Sequence, residues 1–175
     1  VALLLKRPED VLARCERARH ARIPLPSALF GARQNSRGVE LGDDAARSAL
    51  VAAVAAEGTA FGDVASVVDG QAVGAGPARP ALSPIDGRMV IGGVTEASPA
   101  EAEAALAALT QGFPAWAATP VERRATALET AADLLEARAP AFLARLQLEA
   151  GKTLADAIAE VREAVDFCRY YASEA

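Results

Sequence analysis

Residues 149–175, EAGKTLADAIAEVREAVDFCRYYASEA, carry the longest unbroken helical period in the chain and so constrain its fold most. Leu154, Ile158, Val161, Val165, Cys168 and Ala172 recur at steps of three or four, which gathers them on one helix face. Asp156, Glu160, Glu163, Asp166, Arg169 and Glu174 are expected mostly on the opposite, wet face. Gly151 suits the left-handed position that closes a preceding helix, and Thr153 with Asp156 three residues on predicts an N-cap with a reciprocal acid. The stretch therefore reads as helix, glycine stop, new helix. No cap ends it at Ala175 and the chain does not begin with Met, so a piece of a longer polypeptide is expected.

Apolar residues make up 52% of the chain but aromatics only 5%, which favours alanine-rich helices with shallow packing over a dense sheet sandwich. The longest apolar run, residues 49–56, is far short of the roughly 20 residues that a membrane span requires. Residues 1–5 are too short for the apolar part of a secretory signal and lead into Lys6 and Arg7. Two cysteines, Cys15 and Cys168, form no even framework, so a reducing cytoplasm is the expected compartment. The net charge of -5 is unevenly placed, with eight Lys or Arg against three acids in residues 1–38 and ten against twenty beyond. An acidic body repels phosphate, so the basic front is expected to be a solvated or interface-facing helix, and nucleic acid is not expected as a partner.

In chain order, residues 8–20 predict a short helix with Val11, Leu12, Cys15 and Ala18 inward, ended by Pro24 and Pro26. Residues 33–42 read as an irregular connection. A second helix is expected from Asp43 or Asp44 to Gly58, and a short strand or helix around Val64, Val67 and Val68. Gly70, Gly74, Gly76, Pro77 and Pro80 mark residues 69–80 as a linker and boundary. Residues 82–85 and 89–95 flank Asp86-Gly87, a tight-turn dipeptide, and predict a two-stranded ribbon with a bulge or kink at Gly92-Gly93. Ser98-Pro99-Ala100-Glu101 and Thr119-Pro120-Val121-Glu122 each predict a capped helix start. The first of these helices is expected to end near Gly112, and the second to turn Ala125, Leu128, Ala132 and Leu135 inward. Pro140 should break or restart it, with Phe142, Leu143 and Leu146 leading to Gly151. The fold class is thus predominantly α with a small β-ribbon, and the unequal helical blocks argue against a solenoid. The division is a basic segment at 1–42, an Ala-rich helix with a Gly/Pro linker at 43–80, and a ribbon with helices at 81–175.

Few residues announce chemistry. Gly151-Lys152-Thr153 matches the end of a phosphate-binding loop, but Leu146 stands where that loop needs its first glycine and a helix replaces the upstream strand. Gly74-Ala75-Gly76 lacks the third glycine of a dinucleotide loop, Arg79 standing there. Cys168 lies on the apolar stripe and reads as a buried core thiol rather than a nucleophile. Cys15 and His20 fall short of the three or four ligands of a metal site, and His20 has no partner for a serine-type triad. No catalytic, cofactor-binding or metal-ligating residue is therefore assigned.

Three motif-bearing stretches, SPIDGRMVIGGVTEASPAEAEAALAAL, FPAWAATPVERRATALETAADLLEAR and LEAGKTLADAIAEVREAVDFCRYYA, resemble the beginning of an aldehyde dehydrogenase across residues 83–175. Residues 21–50, ARIPLPSALFGARQNSRGVELGDDAARSAL, resemble the stretch that joins a flavin-dependent proline dehydrogenase barrel to a glutamate-semialdehyde dehydrogenase in the bacterial bifunctional proline-catabolic family, proline utilization A. The resemblance implies an incomplete opening segment of an α/β aldehyde dehydrogenase fold, with residues 1–42 as an inter-domain segment. It implies a parent that oxidises proline with FAD and then glutamate semialdehyde with NAD, and that can be a homo-oligomer. The remainder of that polypeptide is the implied partner of this chain. In such enzymes a cysteine attacks the aldehyde, hydride passes to nicotinamide and a glutamate-activated water hydrolyses the thioester. Motifs for those roles lie downstream in the family, and the surroundings of Cys168 do not match them. Asp156 stands where related semialdehyde dehydrogenases carry an acid near the substrate amino group, which makes it the one candidate substrate contact. A single-function aldehyde dehydrogenase and an autonomous helical interaction module are the alternatives.

Overall fold

The computed structural model describes residues 7–14 and 22–175. The chain forms two compact units, Val1–Asn35 and Ser36–Ala175. In the first, helix α1 spans only Pro8–Leu12, with proline at its start where no amide donor is needed. Val11 and Leu12 are 41% and 61% exposed, so the inward face expected for them is open. Cys15, Ala18 and His20, from the same expected helix, lie outside the described residues. A single 3-10 turn at Pro26–Ala28 follows, tied by Asn35 Nδ2 donating to the Pro26 carbonyl at 2.8 Å. The Arg33 guanidinium lies 4.4 Å from the centroid of the Phe30 ring.

The second unit holds five helices and a four-stranded sheet. Helix α2, Asp44–Ala56, begins where Asp43 accepts from the amides of Ala45 and Ala46. Strands β1 (Asp63–Val68), β2 (Gln71–Val73), β3 (Ala78–Leu82) and β4 (Val90–Thr95) pair in the order β2-β1-β4-β3. The central β1–β4 pair is parallel and the two outer pairs are antiparallel.

The sheet corrects three expectations. Residues 69–80 do not run as an irregular linker: Asp69 and Gly70, both at positive φ, turn β1 into β2, and residues 78–80 belong to β3. Pro80 is accommodated because β3 is an edge strand, where a missing donor can face outward. The ribbon expected around Asp86-Gly87 is therefore half of a mixed sheet, and its connection is wider than a two-residue turn. Ser83 N donates to Met89 O at 2.8 Å and Gly87 N to Ser83 O at 2.9 Å, while Asp86 Oδ1 accepts from the amides of Arg88 and Met89. These amides, Met89 before Arg88, hold the Asp86 carboxyl below its ordinary pKa. The irregularity lies beside the expected place: Ala81 pairs with Gly92 but Leu82 with Val90, which leaves Ile91 as the extra residue. Gly92 has its own reason. A Cβ there would stand 2.2 Å from the Gly62 carbonyl oxygen, so only glycine lets the two backbones approach.

Helices α3 (Pro99–Ala117), α4 (Val121–Ala137), α5 (Ala139–Ala150) and α6 (Leu154–Glu174) complete the unit. Ser98 makes the expected capping box with Glu101, but Thr119 does not: α4 has no side-chain cap, and the Thr119 hydroxyl donates back to Ala115 O at 3.0 Å. Helix α3 runs past Gly112, with Pro114 inside it. Proline forfeits one helical bond, yet the helix continues to Ala117. Arg138 separates α4 from α5, where Pro140 restarts the helix in its first turn. Gly151, φ 65°, closes α5 in the left-handed region. Leu143, Ala157 and Val161 form the core, flanked by Leu50 and Val54 of α2 and by Phe142, Leu146, Leu154 and Ile158. Helix α6 packs on α4 and α5, and α2 packs on α5. No residue of α3 is buried.

Candidate functional site

The start of α6 holds the one residue for which substrate contact is expected. Thr153 Oγ1 accepts from Asp156 N at 3.2 Å and donates to Asp156 Oδ2 at 2.7 Å. The acid thus returns to the cap hydroxyl, and its side chain stays exposed on the first turn of α6. Beside it, Lys152 Nζ meets Glu160 Oε1 at 2.5 Å. The Glu160 hydrogen bond, against a desolvation penalty and with help from the charges of Glu160, Asp156 and Glu163, raises the Lys152 pKa. Gly151-Lys152-Thr153 is used as a helix junction, with its lysine committed to a carboxylate, and does not fit a phosphate cradle.

The other glycine-rich turn is also internally occupied. Gly76 N donates to Glu96 O at 2.9 Å, and a Cβ on Gly76 would lie 2.4 Å from that oxygen. Ala75 N donates to both carboxylate oxygens of Glu101, at 3.0 and 3.2 Å, so the anion met by this turn is the capping glutamate of α3. The Ser98 amide, then the Ala75 amide and the Ser98 hydroxyl, outweigh desolvation and keep the Glu101 carboxyl low. Cys168 is half-buried on α6. Among the described residues no cluster of three His, Cys, Asp or Glu side chains is placed to hold a metal.

The densest polar chemistry lies where α4, α6 and residues 36–38 meet. Arg169, placed on the wet face by its charge, is only 9% exposed. Its Nη2 reaches Asp133 Oδ1 at 2.9 Å and Glu136 Oε2 at 3.0 Å. Burial pushes the Glu136 carboxyl up, but the Arg169 hydrogen bond, the Arg37 amide and the charges of both arginines hold it below the ordinary range. Correspondingly, the Glu136 hydrogen bond leads the causes that raise the Arg169 pKa. A second cluster joins Asp166 to Ser36: Oδ1 accepts Ser36 N at 2.7 Å, Oδ2 accepts Ser36 Oγ at 2.8 Å, and Arg162 Nε donates to that hydroxyl at 3.2 Å. The signal for Arg169 was present, because Ala157, Val161, Val165 and Arg169 recur at steps of four and are the buried residues of α6. Nothing local in the sequence pairs Ser36 with Asp166, 130 positions apart.

Residues 74–175 match the model of the aldehyde dehydrogenase family. The chain belongs to that family. The bifunctional protein PutA of Klebsiella aerogenes is 39% identical over 156 residues, covering 89% of this chain and 12% of that protein. A crystal structure of bifunctional proline utilization A superposes with a TM-score of 0.65 at 42% identity, over 98% of this chain and 14% of that one. The 1-pyrroline-5-carboxylate dehydrogenase of Thermus, crystallised with bound NAD, superposes with a TM-score of 0.72 at 33% identity, over 79% of this chain and 27% of that one. This aldehyde dehydrogenase chain thus spans only a small part of the relatives it matches. No helix among its described residues is long and apolar enough to cross a membrane.

Proposed function

We propose that this chain is the opening portion of the NAD-dependent glutamate-semialdehyde dehydrogenase half of a bifunctional proline-catabolic enzyme, with the segment that precedes that half. The observation that carries this reading is how much of the chain each kind of relative matches. The bifunctional relative aligns over 89% of the chain, whereas the single-function 1-pyrroline-5-carboxylate dehydrogenase 2 of Bacillus subtilis aligns over 64%. On this reading residues 1–42 are inter-domain, 81–175 begin the dehydrogenase, and the parent is a cytoplasmic oxidoreductase. Proline oxidation with FAD, and the thiol chemistry that passes hydride to NAD, belong to other parts of the polypeptide.

The remainder of that polypeptide is also the proposed cover for α3, which carries Leu106, Leu109, Phe113 and Trp116 at 54–70% exposure. Leu109, Phe113 and Trp116 line an apolar groove with Val67 and Val68 of β1. At the neighbouring groove between α3 and α4, Arg124 Nε is buried without a hydrogen-bond partner, a costly state that an acceptor from elsewhere in the polypeptide would relieve.

Asp156 is the proposed contact to the substrate amino group, its exposed carboxylate being held in place by Thr153. The full-length protein tests the whole reading. It should reduce a bound flavin with proline and NAD with glutamate semialdehyde; NAD reduction without any flavin-linked proline oxidation would favour the single-function alternative. Asp156→Asn should raise KM for glutamate semialdehyde by about 10-fold or more, the worth of one charge-assisted hydrogen bond. An unchanged KM would leave Asp156 as a helix cap alone.

A further inference from the structure

Residues 36–38 are attached to the helices by polar contacts of an unusual kind. Two consecutive backbone amides are each taken by a carboxylate from a different helix: Ser36 N by Asp166 of α6 at 2.7 Å, and Arg37 N by Glu136 of α4 at 2.6 Å. The Ser36 hydroxyl adds a second bond to Asp166 and receives Arg162 Nε, and Ser36 is 6% exposed. Gly38 follows beside the Arg162 guanidinium, close enough that a Cβ there would be in ordinary contact with it. By contrast, the Leu143 cluster takes its apolar flank from Leu50 and Val54 of α2, and the half-buried Val39 and Leu41 are not among the residues packed on it.

We infer that residues 36–38 form a latch, a strap held to the α4–α6 pair by two carboxylates and releasable without unfolding the helices beneath it. Capturing two successive amides with carboxylates from two different helices fixes both the position and the rotation of the strap. Arg162 and Arg169 serve as its backing: Arg162 orients the Ser36 hydroxyl, and Arg169 holds Glu136 ready for the Arg37 amide. The groups facing the strap are thus Asp166 and Arg162 from α6, Glu136 from α4, and Arg169 behind Glu136. Once the latch is open, the bond from Arg47 of α2 to the Leu41 carbonyl, at 2.9 Å, still ties the far end of the strap, so release is confined to the stretch before Leu41.

Hydrogen exchange on the full-length protein reads the latch directly. Asp166→Ala removes both bonds to Ser36 while leaving a strong helix former in α6. The amides of residues 36 and 37 should exchange at least about tenfold faster, while those of Ala132 and Val165 change less than about twofold. Ser36→Ala, which alters no helix, should accelerate the same two amides by a smaller factor. Combining the two should add little to Asp166→Ala alone, because both cut one contact. Unchanged exchange at residues 36 and 37 in both single variants would overturn the latch. So would equal acceleration through α4 and α6, which would make these side chains part of the helix packing, or fully additive effects, which would separate Ser36 from Asp166.

Discussion

Arg169 and its carboxylates show what a single charge does when the buried stripe that carries it, Ala157, Val161 and Val165, is otherwise apolar. Removing the cation leaves Glu136, half-enclosed, with only the Arg37 amide and a guanidinium 3.9 Å away, so Arg169→Met should cost about 2 kcal/mol in chemical denaturation, below the range of fully buried pairs because Asp133 is exposed. The same cluster sets a pH dependence. The Glu136 carboxyl is held below its unfolded value, so its contribution is complete above an unfolded pKa of about 4.3 and is lost as pH falls through the lower folded pKa. Glu136→Gln should therefore flatten the acid limb of a stability-against-pH curve, and an unaltered limb would assign that limb to other groups. Two positions back from Arg169 along the buried face of α6, Val161 is 8% exposed, whereas Glu163 is exposed. Val161→Asp should cost several kcal/mol, about 3 or more, whereas Glu163→Gln should change stability by about 0.5 kcal/mol or less. Comparable small effects would put the wrong face of α6 in the core. Of the stripe from Leu154 to Ala172, Val161 and Val165 are buried while Leu154, Ile158, Cys168 and Ala172 are half-buried, because apolar spacing reports the face but not its centre. Arg169 shares the spacing of the buried residues, but its charge was weighed above its position.

At the scale of elements, the punctuation of the helices was readable and that of the sheet was not. Asp43, Ser98, Thr153 and Gly151 act where their chemistry predicts, since a cap needs only residues within a turn of one another. Thr119 carries the same local pattern as Ser98, yet its hydroxyl turns back into α3. Ser98→Ala should accordingly cost about 1 kcal/mol and Thr119→Ala about 0.3 kcal/mol or less in thermal unfolding. Equal costs would restore Thr119 as a cap. The sheet hid itself in the residues that usually break strands: Gly70, Gly74, Gly76, Pro77 and Pro80 serve turns and an edge, while Gly92 admits a parallel neighbour. Parallel pairing of residues 63–65 with 93–95 depends on a partner that no local pattern names. Asp156 was legible as a cap, whereas the two clamps at residues 36–38 require knowing which helices lie side by side.

For the molecule as a whole, the open face of α3 and the committed glycine turns define what this stretch does by itself. Both loops that resemble phosphate cradles hold their own carboxylates, Glu160 at one and Glu101 at the other. Calorimetry on the isolated chain should therefore show no NAD binding and no NAD reduction with glutamate semialdehyde; clear binding would place a nucleotide site within these residues. The way α2 joins the core also has a consequence in time. Leu50 and Val54 pack on a cluster whose first member, Leu143, leaves the ribosome roughly 90 residues later, a delay of about 5 to 20 s at ordinary rates of synthesis. A helix of 13 residues is marginal in water without its partners. Nascent chains arrested after Ala117 should be cut readily by protease within α2, and those extended past Glu174 should resist. Early protection would mean that α2 finds a different partner while it waits for α5.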